Sequence, residues 1–463
     1  MAWKQRTIIL ALVCLAAVPI LAYAAFGQIV RSGAGIISHT MCSEVFVSGF
    51  TPDRVFFESL APMRAIGLLK PLISYDVDTV KREVRVSVFG LMQSRAMFRS
   101  NKMGCLIVHG DPPKTNVETI TAKPLAGSDQ SPTLPKPQVR EAATPALKVA
   151  LERAFQDDAS GAKRRTRAIV IVHHGKIIAE RYADGIGSAT PLLGYSMTKS
   201  FTNAMLGVLA RQGKINITER APVPEWAAPS DPRHTITIEH LMRMTSGLAI
   251  EETHTGADPV SHMLFDERDM AGFAQSAKLT AAPGSRWEYT SGNTLILSGI
   301  IRNTVGGQAE DVYAFAQREL FGPLHMSSAI LESDAMGTPI GSTYLFASAR
   351  DWARLGLLYL NDGMIDDTRI LPKGWVETSI KQTLSSNYGA GFWVYPNNAG
   401  SYFAAEGFLG QYLIINPSKD IVIVRLGASD VDGSDGVNEL IRDVFAAVES
   451  VPAYLPVKSF FPH

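Results

Sequence analysis

Ser196 and Lys199 are a pair in this 463-residue sequence whose types and spacing fit nucleophilic catalysis. They stand just before an apolar stretch, residues 202–210, which predicts a helix that ends at Gly213. On one face of that helix, the serine would lie where free backbone N–H groups favour negative charge, and a desolvated lysine could take its proton. The alternative is an ordinary helix cap with a solvated lysine one turn further on.

Tyr289 is a second candidate, because it follows a Pro-Gly turn and directly precedes a predicted helix. Thr290 or Ser291 could cap that helix. A phenol presented at this point could pass a proton to a leaving group. The alternative is an aromatic residue that anchors the core beside an ordinary cap.

A glycine-containing strand, residues 404–411, supplies a third element. Its small residues and Gly407 would let a substrate backbone approach and pair with the strand edge. The backbone N–H groups of Phe408 and Ser196 could then form an oxyanion hole. A plain bend at the glycine is the alternative.

The elements that must position these residues predict an α+β fold. Apolar and alternating runs predict a β-hairpin early in this part of the chain, two strands near its end and a mainly helical insertion between them. The expected strands are residues 168–172, 176–182, 411–416 and 421–425, and the expected helices at the two ends are 144–157 and 436–450. This order assembles one antiparallel sheet from both ends of the chain, flanked by helices, with a cleft between the two halves.

In this order, the three elements resemble the three-box pattern of serine β-lactamases and penicillin-binding proteins. Residues 237–248 are also similar to the helix and Thr-Ser-Gly loop of that family. The sequence most resembles class C β-lactamase-related hydrolases, especially 6-aminohexanoate-dimer hydrolases, over residues 140–450. The resemblance implies a β-lactamase/transpeptidase-like fold in which Ser196 is acylated, Lys199 is its base and Tyr289 is the catalytic tyrosine.

Two positions depart from the family pattern. Ser291 stands where the family has asparagine and Asn293 comes two places later, so the candidate substrate contacts are Ser291, Asn293 and Gly407. Ala405 stands where the family has the lysine or histidine that holds a β-lactam carboxylate. Loss of that charge-assisted hydrogen bond should weaken the binding of anionic penicillins.

The expected activity is therefore that of an exported serine hydrolase that cleaves a linear amide or ester through an acyl-enzyme on Ser196. One alternative is a D-Ala-D-Ala carboxypeptidase or weak β-lactamase. Another is a catalytically silent binding or sensor module that uses the same cleft. The formal charge is zero, which argues against nucleic acid as a partner, and the sequence predicts no metal site and no cofactor. The expected partner is a small-molecule amide or ester.

The N-terminus predicts export. Lys4 and Arg6 precede an uncharged apolar stretch, Thr7–Val30, so residues 1–30 are either a cleaved signal peptide or a transmembrane anchor. The rest of the chain should lie in the periplasm or another extracytoplasmic space, where an uncleaved segment would hold it at the inner membrane.

Three further regions follow this stretch. Residues 31–110, with an alternating run at 83–89, predict a small accessory domain, and the proline-rich residues 111–139 predict a linker. Residues 140–463 then form the hydrolase domain. In an oxidising compartment, Cys42 and Cys105 could form a disulfide, and two buried free thiols are the alternative.

Overall fold

The structure is a computed structural model that describes residues 27–90, 92–110, 142–157, 161–253, 255–396, 401–431 and 435–449. Most of the predicted signal peptide or anchor and all of the predicted linker lie outside these residues. Within the described ranges, no helix combines the length and the apolar character that crossing a bilayer requires. We call the described residues before 111 the N-terminal segment and those from 142 onward the main domain.

The N-terminal segment contains helices and one antiparallel sheet. The helices are α1 (27–46), α2 (Pro52–Arg54) and α3 (Arg64–Leu69), and the strands, in spatial order, are β1 (Ile73–Asp78), β2 (Glu83–Val88), β3 (Met92–Ser100) and β4 (Gly104–Ile107). A disulfide joins Cys42 of α1 to Cys105 of β4, with their Cα atoms 6.1 Å apart. The boundary that we placed between residues 30 and 31 falls inside α1, so residues 27–30 belong to this folded segment.

The N-terminal segment shares a hydrophobic core with the main domain. Val30, Ile37 and Met41 of α1 belong to the same buried cluster as the central helices of the main domain. Glu332 of the main domain, which is fully buried, accepts hydrogen bonds from Ser43 Oγ at 2.9 Å and from the backbone N–H of Cys105 at 2.6 Å. The segment is thus fastened to the main domain by apolar packing and by a buried carboxylate.

One six-stranded antiparallel sheet lies at the centre of the main domain. In spatial order its strands are β12 (Trp393–Tyr395), β13 (Tyr402–Gly407), β14 (Gln411–Asn416), β15 (Ile421–Gly427), β5 (Thr166–His173) and β6 (Lys176–Tyr182). Val424 of β15 stands opposite Val170 of β5, so the late strands close against the early hairpin. The predicted α+β fold, with one sheet built from both ends of the chain, is confirmed.

Strand β5 is buried along its whole length, because helices cover both faces of the sheet. The turn from β5 to β6 consists of His174 and Gly175, with φ angles of 49° and 69°. Positive φ at both turn residues matches the right-handed twist of the flanking strands, and it is favoured in two-residue hairpins.

Two helices on each face complete the layers. On one face, α4 (Pro145–Ala154) packs against α13 (Val437–Glu449), and on the other lie α5 (Thr198–Arg211) and α11 (Ala349–Leu360). The other α-helices that the structure describes in the main domain are α6 (Ile238–Met242), α7 (Pro259–Asp266), α8 (Met270–Gln275), α9 (Ser291–Val305), α10 (Ala309–Ala316) and α12 (Trp375–Ile380). The short strands are β7 (Leu192–Leu193), β8 (Ile330–Leu331) and β9 (Leu345–Ala347) in one sheet, and β10 (Met364–Ile365) and β11 (Thr368–Arg369) in another.

Candidate active site

Ser196 lies in a 3-10 turn, Tyr195–Met197, that leads directly into α5. The helix thus begins at Thr198 and the serine precedes it. Tyr195 has a φ of 47°, a left-handed conformation that is unusual for a residue other than glycine. This sharp turn leaves the Ser196 side chain partly exposed, whereas its two neighbours in the turn are buried.

Lys199 is buried in the first turn of α5, with only 3% of its surface exposed. Its Nζ donates hydrogen bonds to Ser196 Oγ at 3.0 Å, to Ser291 Oγ at 3.1 Å and to the backbone carbonyl of Ser342 at 3.1 Å. Burial lowers the pKa of Lys199 from its ordinary 10.5 to about 8, against the opposing effect of the Glu252 carboxylate. The amine is therefore close enough to the serine, and basic in the right range, to take its proton.

Tyr289 lies close to both Lys199 and Ser196. The centre of its ring is 4.9 Å from Lys199 Nζ, and the ring packs against Trp393 and Tyr388, each with its centre 5.6 Å away. Burial raises the pKa of the Tyr289 phenol well above its ordinary value, and a hydrogen bond with Ser196 opposes part of that rise. The phenol therefore stays protonated near neutral pH and can act as a proton donor beside the serine.

Strand β13 ends beside the turn that carries Ser196. A Cβ at Gly407 would collide with the backbone carbonyl of Gly194, so only glycine allows this close approach. The ring of Phe408 lies 5.7 Å from that of Tyr195, between their centres. Phe408 thus follows the strand end close to the turn that carries Ser196, and its part in an oxyanion hole stays a prediction.

The structure separates the two residues that were candidates for the family's asparagine position. Ser291 Oγ contacts Lys199, at the first position of α9, where Thr290 caps the helix by accepting from the N–H of Gly292. Asn293 is 1% exposed, and its Oδ1 accepts from Ser246 Oγ at 2.7 Å. Asn293 therefore contacts the Thr-Ser-Gly loop, and Ser291 is the residue that contacts the Lys199 amine.

Two side chains of β13 lie in the third element of the family pattern, where the family has a lysine or histidine. Ala405 is 1% exposed and packs into the core, so it offers no polar group to a ligand. Its neighbour Glu406 accepts a short hydrogen bond from the Tyr395 hydroxyl. Burial and the nearby Asp435 carboxylate raise the pKa of Glu406 to about 7, against the lowering effect of Tyr395. Instead of a cation, this strand carries a carboxyl group that becomes negative above neutral pH.

Sequence reasoning missed three contributors to the site. Glu252 accepts hydrogen bonds from Ser291, Ser342 supplies a carbonyl to Lys199, and Trp393 stacks on Tyr289. The position of Glu252 shortly after the Thr-Ser-Gly loop could have indicated that it belongs to the site. Ser342 contributes only its backbone carbonyl, so its residue type could not have indicated the contact. Among the residues that the structure describes, no group of three or more His, Cys, Asp or Glu side chains could hold a metal ion.

Known proteins match the chain in this same region. A family model described as Beta-lactamase matches residues 151–447. A 6-aminohexanoate-dimer hydrolase from Paenarthrobacter ureafaciens is 24% identical over an alignment of 297 residues, and the match covers 57% of this chain and 72% of that protein.

Solved structures give the same result. One from Bacillus anthracis, assigned provisionally as a 6-aminohexanoate-dimer hydrolase, is 25% identical with a TM-score of 0.54, over 63% of this chain and 81% of that chain. A penicillin-binding protein homologue from Caulobacter crescentus is 17% identical with a TM-score of 0.53, over 67% of this chain and 100% of that chain, and it shows the fold alone. Because the family model spans more than half of the sequence and includes Ser196, Lys199 and Tyr289, the chain belongs to the beta-lactamase family.

Proposed function

We propose that this protein hydrolyses linear amides or esters through an acyl-enzyme on Ser196. The observation that carries the proposal is the 3.0 Å contact between the buried amine of Lys199 and Ser196 Oγ. Burial that lowers the pKa of that amine to about 8 makes it a base that can work near neutral pH.

The reaction follows from this geometry. Ser196 Oγ attacks the carbonyl carbon of the substrate while its proton passes to Lys199 Nζ, and the N–H groups of Ser196 and Phe408 stabilise the oxyanion. The C–N or C–O bond then breaks as Tyr289 protonates the leaving group, and Lys199 returns a proton to the phenol. Water attacks the acyl-enzyme, gives up one proton through Lys199 to Ser196, and releases the acid.

The side chains of β13 favour a linear substrate over a penicillin, because none of those that border the site is a cation. The strand that borders the site offers Ala405 and the carboxyl group of Glu406, and neither can pair with the carboxylate of a β-lactam. A matched relative of this chain is named for the hydrolysis of the 6-aminohexanoate dimer, which is a linear amide. We propose the same bond class here.

We also propose that the protein works outside the cytoplasm. The charged and then apolar N-terminus supports export, and the disulfide between Cys42 and Cys105 suits an oxidising compartment. Alkylation of the protein as isolated from cell fractions would test this proposal, because two reactive thiols or a cytoplasmic location would contradict it.

Intact-protein mass spectrometry tests the catalytic proposal. Wild-type protein exposed to a fluorophosphonate probe, to activated esters and to short amides should gain one acyl or phosphonyl group, mapped by peptide analysis to Ser196. Ser196→Ala should lose the adduct and keep its fold, and Ser285→Ala, which removes an exposed serine hydroxyl, should label like wild type. An adduct that survives Ser196→Ala would overturn the assignment, and a long-lived penicillin adduct would instead favour a carboxypeptidase.

A further inference from the structure

Glu252 is connected to the Lys199 amine through Ser291. Its carboxylate accepts hydrogen bonds from the backbone N–H of Ser291 at 2.5 Å and from Ser291 Oγ at 3.2 Å. Ser291 is 1% exposed, and its Oγ is 3.1 Å from Lys199 Nζ. A continuous hydrogen-bonded path therefore runs from Glu252 through Ser291 and Lys199 to Ser196.

The chemistry of donors and acceptors fixes the direction of every bond on this path. A carboxylate can only accept, so the hydroxyl proton of Ser291 points at Glu252, and Ser291 Oγ presents a lone pair to Lys199. The carbonyl of Ser342 can also only accept. The ammonium form of Lys199 donates to all three oxygens, including Ser196 Oγ. The neutral amine has two N–H groups and one lone pair, and the two acceptors Ser291 Oγ and the Ser342 carbonyl take both N–H groups. The lone pair of Lys199 is left to face the hydroxyl of Ser196.

We infer that Glu252 is a positioning residue for the general base: through Ser291, it orients the Lys199 amine so that its lone pair faces Ser196 Oγ. This inference rests on the proposed function of Ser196 and Lys199. Ser291, at the position where the family has an amide side chain, acts in this account as a hydrogen-bond acceptor for the catalytic amine.

The charge of Glu252 has a second effect, which supplies a test. A nearby carboxylate favours the ammonium form, so Glu252 raises the pKa of Lys199 while burial lowers it. Among the residues that the structure describes, Tyr289 is also close to the amine, with its ring centre 4.9 Å from Nζ. Glu406 on β13 acts on the Tyr289 phenol. Removing the Glu252 charge should therefore lower the pKa of Lys199.

The decisive variant is Glu252→Gln, with Glu251→Gln as the matched control, because Glu251 is exposed and carries the same charge one position earlier. The rate of Ser196 acylation by a neutral ester is measured from pH 5 to pH 10. In Glu252→Gln the acid limb should move to lower pH by about half a unit to one unit, and the plateau should fall about tenfold, because a glutamine amide no longer fixes the hydroxyl of Ser291. Glu251→Gln should match wild type.

Ser291→Ala separates orientation from charge. It should lower the plateau about tenfold while leaving the acid limb within about 0.3 units of wild type, because the carboxylate remains in place. A Glu252→Gln variant with a wild-type plateau and a wild-type acid limb would overturn the inference. A purely structural role for Glu252 would lower the amount of folded protein without moving the limb, and this result would overturn the inference too.

A measurement that needs no turnover keeps this test apart from the proposed function. Competitive labelling with acetic anhydride, read by mass spectrometry, follows the pKa of the Lys199 amine in folded wild-type protein, Glu252→Gln and Glu251→Gln. The pKa should fall only in Glu252→Gln. If wild-type Ser196 never acylates, the proposed function fails. If acylation occurs and the Lys199 pKa is unmoved in Glu252→Gln, the present inference fails alone.

Discussion

The cleft that holds Ser196 and the junction with the N-terminal segment each contain a carboxylate that accepts hydrogen bonds, half-buried in Glu252 and fully buried in Glu332. In the cleft, Glu252 accepts hydrogen bonds from a serine hydroxyl and a backbone N–H, both of Ser291. At the junction, Glu332 accepts the same two kinds of bond, from Ser43 Oγ and from the N–H of Cys105. These two kinds of bond are common to both carboxylates, and Glu332 Oε2 also lies 2.8 Å from Nε2 of His39 in α1.

The two regions differ in what lies beyond the serine. Ser291 continues to the amine of Lys199 and then to Ser196, so the orientation of one hydroxyl reaches a group that can react. The contacts of Glu332 lead to α1 and to the strand that carries the disulfide. On the proposed mechanism, the same local pattern serves proton transfer in one region and attachment in the other, and substitutions should separate the acylation rate from stability accordingly.

The largest effect is expected in the cleft. Lys199→Met should slow acylation of Ser196 by about 10³-fold, within the range that a general base contributes. Its free energy of unfolding at pH 7 should be no lower than that of wild type, because the variant no longer buries an ammonium group. The measurements are the rate of probe labelling and urea unfolding.

The pH dependence of stability gives the control for that variant. The folded pKa of Lys199 is about 8 against an ordinary 10.5, so the unfolded state binds more protons between these values. The free-energy cost of burying the ammonium is present below pH 8. As the pH rises from 8 to 10.5, the free energy of unfolding of wild type should therefore increase relative to that of Lys199→Met. If the probe labels Ser196 in Lys199→Met as fast as in wild type, Lys199 is not the general base, and the proposed role of the cleft is wrong.

At the junction, the disulfide should contribute most to stability. Replacing both Cys42 and Cys105 by alanine opens a link across 63 positions, and the chain-entropy account gives a loss of about 4 kcal/mol in the free energy of unfolding. Acylation by the folded fraction should be unchanged at 25 °C. A variant that keeps its stability but loses activity would show that the N-terminal segment takes part in catalysis.

The smallest of these effects is expected for Glu332→Gln. The amide keeps one acceptor oxygen but loses its second, so the bond to Ser43 or to Cys105 weakens, and we expect a loss of about 2 kcal/mol in urea unfolding. The pH profile of acylation should stay that of wild type, in contrast to Glu252→Gln. A shifted acid limb in Glu332→Gln would mean that the two carboxylates are coupled and not separate.

The two site residues that the sequence predicted from their own spacing are held by short-range geometry. Ser196 and Lys199 stand within one turn, and helical spacing alone brings them to one face, where the structure has them 3.0 Å apart. Glu252 stands 39 positions before Ser291 in the sequence. Ser342, whose carbonyl contacts Lys199, stands 143 positions after it. Tertiary packing brings these groups together, and no periodicity in the sequence records it.

The fold shows the same division. Strand β5 and the late strands were predicted because buried apolar runs between turn residues are a strong local signal. Helix α1 was not predicted, because its first residues continue the uncharged stretch that precedes them and therefore look like part of a membrane-targeting segment. Asn293 was misjudged for a related reason, because its nearness to Tyr289 in the sequence does not fix which side of α9 it occupies.

The pairing of β5 with β15 sets a condition on how this protein is made. On the ribosome, β5 and β6 emerge early, but the edge of β5 that β15 will cover stays open until the last part of the chain has been synthesised. At about 5–20 residues per second, that interval lasts on the order of tens of seconds. During synthesis, the apolar run 168–172 of β5 is a ready template for pairing with other nascent chains, so low temperature or a holding chaperone should raise the soluble yield.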